Sequence, residues 1–300
     1  VARRLEFFDH SLCNKKQILM NIVRAHHLGM CFGVRDALSM AHAEGARQPL
    51  TILGELVHNP SVLENLRRAG IGIEPDLTAV QTNAVMITAH GVSDRRRAEL
   101  RGRGLEILEA TCPLVHVAHR ALRSLVEAGH HPVVIGKRGH VEVNGLVEDY
   151  PGADVVLSES DIDSMPERTS FGVVAQTTQP VTRVRSLVDH LRHRFPESAV
   201  HFRDTVCLPT KQRQEAALQL AGECSVVIVV GGRRSNNTRE LVETIRGTCA
   251  RVHQVETADE LQAEWLRADD TVGITAGTST PDAQIEAVER RLRSWEEWRS

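Results

Sequence analysis

Glu109-Ala110-Thr111-Cys112-Pro113-Leu114-Val115 is the stretch from which the fold can be read. The apolar run Leu105-Glu106-Ile107-Leu108 before it reads as a strand, and a helical pattern begins at Leu114. Cys112 therefore sits between the carboxyl end of a strand and the start of a helix, where open α/β sheets place their chemistry. Two other cysteines have comparable settings. Cys31, in Gly29-Met30-Cys31-Phe32-Gly33, and Cys207, in Asp204-Thr205-Val206-Cys207, each stand just ahead of a helix. Their near-even spacing suggests three similar segments, each offering one thiol to a shared centre.

Outward from these points the chain alternates strands and helices. Strands are expected at Asn21–Ala25, Leu50–Leu53, Ala84–Thr88, Pro132–Gly136, Asp154–Leu157, Phe171–Ala175, Val226–Val230, Val252–Val255 and Thr271–Thr275. Helices are expected from Val34, from Pro60, over 94–103, from Leu114 to Ala128, from Val181 to Phe195, near 210–222 and over 282–293. This rhythm predicts an α/β protein with mainly parallel sheets. It divides into units at 20–112, 113–206 and 207–300, with residues 1–19 as an N-terminal extension of no assigned role.

Composition excludes several function classes. The net charge of −3 gives no global basic field for nucleic acid, and 3% aromatic residues leave few stacking platforms for bases. No apolar run approaches the roughly 20 residues of a membrane helix, and the first residues lack a secretory core. A soluble, cytoplasmic protein is expected. The six cysteines include no CxxC pair, which disfavours a zinc ribbon or a thioredoxin site. Cys224 and Cys249 read as small buried hydrophobes, and Cys13 falls in the extension.

The polar residues fall at strand ends. His90, His140, Thr177, Thr178, Ser235, Asn237 and Ser279 all follow expected strands. Any one of them has an ordinary explanation as a turn or cap residue, but so many beside three cysteines point to a site. Three distant thiols suit an iron–sulfur cluster with one iron left open better than a structural zinc site. The hydroxyl, amide and imidazole donors suit an anion such as a diphosphate, although neither GxxxxGK[ST] nor GxGxxG after the first strand is present. Glu142, two residues from His140, is a candidate proton donor. Spacing alone favours a solvated loop carboxylate there.

Longer motifs carry a specific resemblance. They are Gly-Met-Cys-Phe-Gly-Val at 29–34, Val-His-Asn at 57–59, Ala-His-Gly-Val-Ser at 89–93, Ala-Thr-Cys-Pro-Leu-Val at 110–115, Gly-His-Val-Glu-Val at 139–143, Gln-Thr-Thr at 176–178, Arg-Gln-Glu-Ala at 213–216, Ser-Asn-Asn at 235–237 and Thr-Ala-Gly-Thr-Ser-Thr-Pro-Asp at 275–282. Taken in order from about residue 21 to 293, they resemble the LytB/IspH family of 4-hydroxy-3-methylbut-2-enyl diphosphate reductases.

The resemblance implies three α/β domains in a trefoil around a central 4Fe-4S cluster, held by Cys31, Cys112 and Cys207 and prone to decay to 3Fe-4S in air. It implies diphosphate binding by His58, His90, His140, Thr178, Ser235, Asn236, Asn237 and Ser279. Glu142 matches the proton donor, and Thr177 the position beside the substrate hydroxyl. The implied reaction is the last step of the non-mevalonate isoprenoid pathway, with electrons from ferredoxin or flavodoxin. Four departures stand near the motifs. Asn236 occupies the position of a second serine, Val141 replaces a proline between His140 and Glu142, Leu208-Pro209 follow Cys207 where an aromatic and a small residue are usual, and His26-His27 replace an Asn-Pro type turn before Cys31.

Overall fold

A computed structural model describes residues 21–267 and 269–298. Its twelve strands form three four-stranded sheets, and every strand pair is parallel.

The first sheet contains β2 (Leu50–Leu53), β3 (Gly72–Glu74), β4 (Ala84–Ile87) and β5 (Glu106–Glu109), in the order β3-β2-β4-β5. The second contains β6 (His131–Ile135), β7 (Asp154–Val156), β8 (Ser170–Ala175) and β9 (Ala199–Phe202), in the order β7-β6-β8-β9. The third contains β10 (Val226–Val230), β11 (Val252–Val255) and β12 (Thr271–Ala276), and its fourth place is taken by β1 (Asn21–Arg24). Read as β11-β10-β12-β1, it repeats the order of the other two.

The chain thus closes on itself. Asn21 pairs with Thr271 and Arg24 with Ile274, so the first strand lies in the third sheet and not in the unit that follows it in sequence. Local pattern shows that Asn21–Arg24 is extended, but it carries no information about which edge the strand joins.

Each fourth strand leads to a cysteine, and each cysteine caps a helix that packs on the next sheet. Cys31 precedes α1 (Phe32–Gly45), whose Val34, Ala37 and Ala41 meet Ile52 and Met86 of the first sheet. Asn59 caps α2 (Pro60–Arg68), and Ser93 caps α3 (Asp94–Gly102). Cys112 precedes α4 (Pro113–Glu127), whose Ala118, Leu122 and Leu125 pack on Val134 and Val174 of the second sheet. That layer continues through α5 (Val141–Val147), α6 (Glu159–Asp163) and α7 (Val181–Arg194). Cys207 precedes α8 (Leu208–Glu223), which lays Ala217 and Leu220 on Val227 and Val229 of the third. The helices α9 (Asn236–Arg246) and α10 (Asp282–Trp298) complete it. Strands covered on both faces read as continuous apolar runs, and Val226–Val230 is wholly buried accordingly.

One expectation needs correction, and three elements were not foreseen. Glu142 does not lie in a loop, because the strand ends at Ile135 and a short helix starts at Val141, capped by His140. The strands β3 and β9 and the short α6 have too little periodic signal to be read from sequence. The extension at 1–19, with Cys13, lies outside the described residues. Among the described residues no helix is long and apolar enough to cross a membrane.

Candidate active site

The pseudo-threefold arrangement puts functional side chains at equivalent points. The central strands of the three sheets are β2 and β4, β6 and β8, and β10 and β12. His58 follows β2, His90 follows β4, His140 follows β6, Thr177 and Thr178 follow β8, Ser235 to Asn237 follow β10, and Ser279 follows β12. Such carboxyl ends at a change of strand order are where open sheets leave a crevice. All of these residues, with Glu142 and the three cysteines, line one cavity of about 680 Å³ of empty space including its mouth.

One wall carries the thiols. Cys31, Cys112 and Cys207 are the N-cap residues of α1, α4 and α8, and none spends its side chain on a capping hydrogen bond. Burial pushes the Cys112 thiol up, against the pull of the Leu114 and Val115 amides at the helix start. Burial likewise pushes Cys207 up to about 11, opposed by Thr210, whose hydroxyl lies 3.0 Å from the sulfur. Left alone, Cys112 and Cys207 stay protonated, and a cation bound between them would draw them into the thiolate form. The approach is close: a Cβ on Gly33 would lie 2.5 Å from the Cys112 sulfur. Three soft ligands on one wall, each at the positive end of a helix, fit an anionic iron–sulfur cluster. Among the described residues lining the cavity there is no fourth thiol, so one iron of such a cluster would lack a cysteine ligand from them. Cys224 and Cys249 are buried away from this wall, as expected.

Glu142 lines the same cavity and is 2% exposed. Its carboxylate accepts the Thr177 backbone N–H at 2.6 Å and pairs with the Thr177 hydroxyl at 2.9 Å. Burial raises its pKa from 4.5 to about 7, because two hydrogen bonds do not replace the lost water. A carboxyl tuned to that range can hold and give up a proton near neutrality.

Other parts of the cavity lining are built of donors. The rings of His58, His90 and His140 lie with centroids 4.8–5.6 Å apart. Burial, then the neighbouring His58 and His140, hold His90 well below the usual histidine range, and burial pushes His140 down to about 3. Such a trio resembles a metal site, since its ring nitrogens lie within 4.8 Å of one another. The hydrogen bonds point elsewhere. His140 Nδ1 accepts the Glu142 backbone N–H at 3.2 Å, which leaves its proton on Nε2, a donor. The Asn237 amide nitrogen and the Ser279 hydroxyl are buried on the same cavity with no partner. Buried donors without acceptors call for an anion.

Two contributors escaped the sequence reading. Arg213, 7% exposed, donates twice to the Gly29 carbonyl at 3.0 and 2.8 Å and once to the Pro209 carbonyl at 2.9 Å. It locks the Cys31 turn to the Cys207 helix and places a buried positive charge within reach of both sulfurs. Asn59 donates to the Ser279 carbonyl at 2.9 Å and so joins the first unit to the third. Both residues lie inside quoted motifs, Arg-Gln-Glu-Ala and Val-His-Asn, but only the contacts assign them a task.

With this geometry established, comparison with known proteins is decisive. The family described as LytB protein matches residues 22–293. The chain belongs to the LytB family. A 4-hydroxy-3-methylbut-2-enyl diphosphate reductase from Trichlorobacter lovleyi is 38% identical over 275 residues, covering 91% of this chain and 98% of its own. The enzyme of the same name from Pelobacter propionicus is 37% identical over 276 residues, with 91% and 98% covered. A solved structure of (E)-4-hydroxy-3-methyl-but-2-enyl diphosphate reductase, described as the terminal enzyme of the non-mevalonate pathway, aligns with a TM-score of 0.66. It shares 33% identity over 92% of this chain and 100% of that one. The Plasmodium falciparum reductase aligns with a TM-score of 0.85 at 24% identity, over 91% and 87%, and attests the same LytB fold.

Proposed function

We propose that this LytB-family chain is a 4-hydroxy-3-methylbut-2-enyl diphosphate reductase, removing the allylic hydroxyl to give isopentenyl and dimethylallyl diphosphate. The balance is one substrate, two electrons and two protons giving one diene-free diphosphate and one water. Cys31, Cys112 and Cys207 would hold a 4Fe-4S cluster, which when bound supplies electrons and Lewis acidity at its open corner. Ferredoxin or flavodoxin would deliver the electrons.

The observation that carries this reading is the placement of Glu142. A buried carboxyl with a pKa raised to about 7 lies on the same cavity as three thiols and two buried, unpaired donors, Asn237 and Ser279. His58, His90, His140, Thr178, Ser235, Asn237 and Ser279 would hold the diphosphate through hydrogen bonds. Fixing that end aims the hydroxyl-bearing carbon toward the cysteines. Glu142 would then hold the proton that the departing oxygen or the carbon skeleton takes up, with Thr177 keeping its carboxyl turned inward. The burial of Glu142, 2% exposed, keeps bulk water from competing for that proton.

Anaerobic turnover of the substrate with a reduced viologen, while the cluster's visible absorbance is recorded, tests the proposal. Turnover with the cluster present is expected. A loaded cluster with no turnover would overturn the substrate assignment.

A further inference from the structure

Thr178 is held by two amides whose orientations are both fixed. The Gln176 side-chain oxygen accepts the Lys137 backbone N–H at 3.0 Å, so its nitrogen must face Thr178, 3.3 Å from the hydroxyl oxygen. The Asn236 side-chain oxygen accepts from the Arg239 guanidinium at 3.3 Å, a group with donors only, so its nitrogen faces Thr178 at 3.1 Å. A hydroxyl oxygen has two acceptor sites and one hydrogen. With both acceptor sites filled by amide donors, the hydrogen is left to point elsewhere, and the open direction is the cavity that Thr178 lines.

We infer that Asn236 is a positioning residue: with Gln176 it saturates the acceptor side of the Thr178 hydroxyl and holds Thr178 as a fixed donor to the substrate's diphosphate. The inference rests on the diphosphate reading of the cavity and changes the part Asn236 plays in it. Asn236 was expected to touch phosphate itself, but both ends of its amide are engaged inside the protein. The chain Arg239–Asn236–Thr178 also runs from the third unit to the second, so a permanent charge on α9 polarises a hydroxyl that follows β8. A serine at 236 is too short to hold both partners.

The test is binding of inorganic pyrophosphate to the cluster-loaded protein under argon, measured by titration calorimetry, with cluster absorbance and melting temperature as checks on folding. Asn236→Ala is expected to weaken binding about tenfold. The same change in a Thr178→Ser background, where the hydroxyl remains, should again cost about tenfold. In a Thr178→Val background it should cost nothing further, because the group it positions is gone. Asn236→Ser, which keeps a polar residue at the helix start, is expected to behave as the alanine variant and serves if that variant does not fold. Unchanged affinity in Asn236→Ala, or a full penalty persisting beside Thr178→Val, would overturn the inference. If the loaded wild type takes up no pyrophosphate, the diphosphate reading fails and the positioning role falls with it. Binding that Thr178→Val weakens and Asn236→Ala does not would sink the positioning role alone.

Discussion

The Glu142 carboxylate accepts the Thr177 backbone N–H at 2.6 Å and also meets the Thr177 hydroxyl, at 2.9 Å. A helix start in one half of the second unit is thereby tied to the turn after β8 in the other. The carboxyl cannot swing to solvent without leaving that backbone amide unpaired, a loss of about 1–3 kcal/mol.

Replacing Glu142 by glutamine keeps the shape and an acceptor for the Thr177 amide but removes the transferable proton. Turnover should fall by roughly a hundredfold or more, with the cluster's visible spectrum unchanged. Wild-type turnover in Glu142→Gln would remove Glu142 from the reaction.

The pH profile should follow the same group. Its pKa is raised from 4.5 to about 7, so the proton-bearing form prevails below that pH and is lost above it. Turnover should therefore decline as pH rises through about 7, approaching about tenfold per unit once the acid is ionised. A profile flat from pH 6 to 9 would show that another group supplies the proton.

Cys112→Ser should strip most of the cluster absorbance, since serine offers a hard oxygen where iron takes thiolate. Gly33→Ala should do so while leaving every ligand in place, because the added methyl would meet the Cys112 sulfur at 2.5 Å. Iron and sulfide content measured after anaerobic reconstitution checks both. A fully loaded Gly33→Ala protein would mean that the Cys112 side chain can move aside by about half an ångström or more.

Arg213→Met removes two donors from the buried Gly29 carbonyl, one from the part-buried Pro209 carbonyl, and a cation from beside two thiols. A loss of about 3 kcal/mol of stability is expected, read as a lower urea midpoint for the cluster-free protein. Arg213→Lys should recover part of it. An unchanged midpoint in Arg213→Met would show that water replaces the guanidinium at those carbonyls.

The sequence by itself determined the local order of this protein. Strand–turn–helix units, cysteines ahead of helices and polar turns after strands all follow from periods and turn residues within a few positions of one another. The motif set, being a matter of residue identity, also carried the LytB resemblance. Tertiary structure decided what depends on pairing across the chain. It set β1 beside β12, at opposite ends of the chain, because parallel strands choose their edges through buried contacts that local pattern does not encode. It buried Glu142, whose spacing alone allowed a solvated carboxylate, and so raised its pKa. It turned the Asn236 amide toward Thr178 and Arg239, and it brought Arg213 between the turns of Cys31 and Cys207. Burial and hydrogen-bond direction are properties of a residue's surroundings, and for these residues the surroundings come from distant parts of the chain.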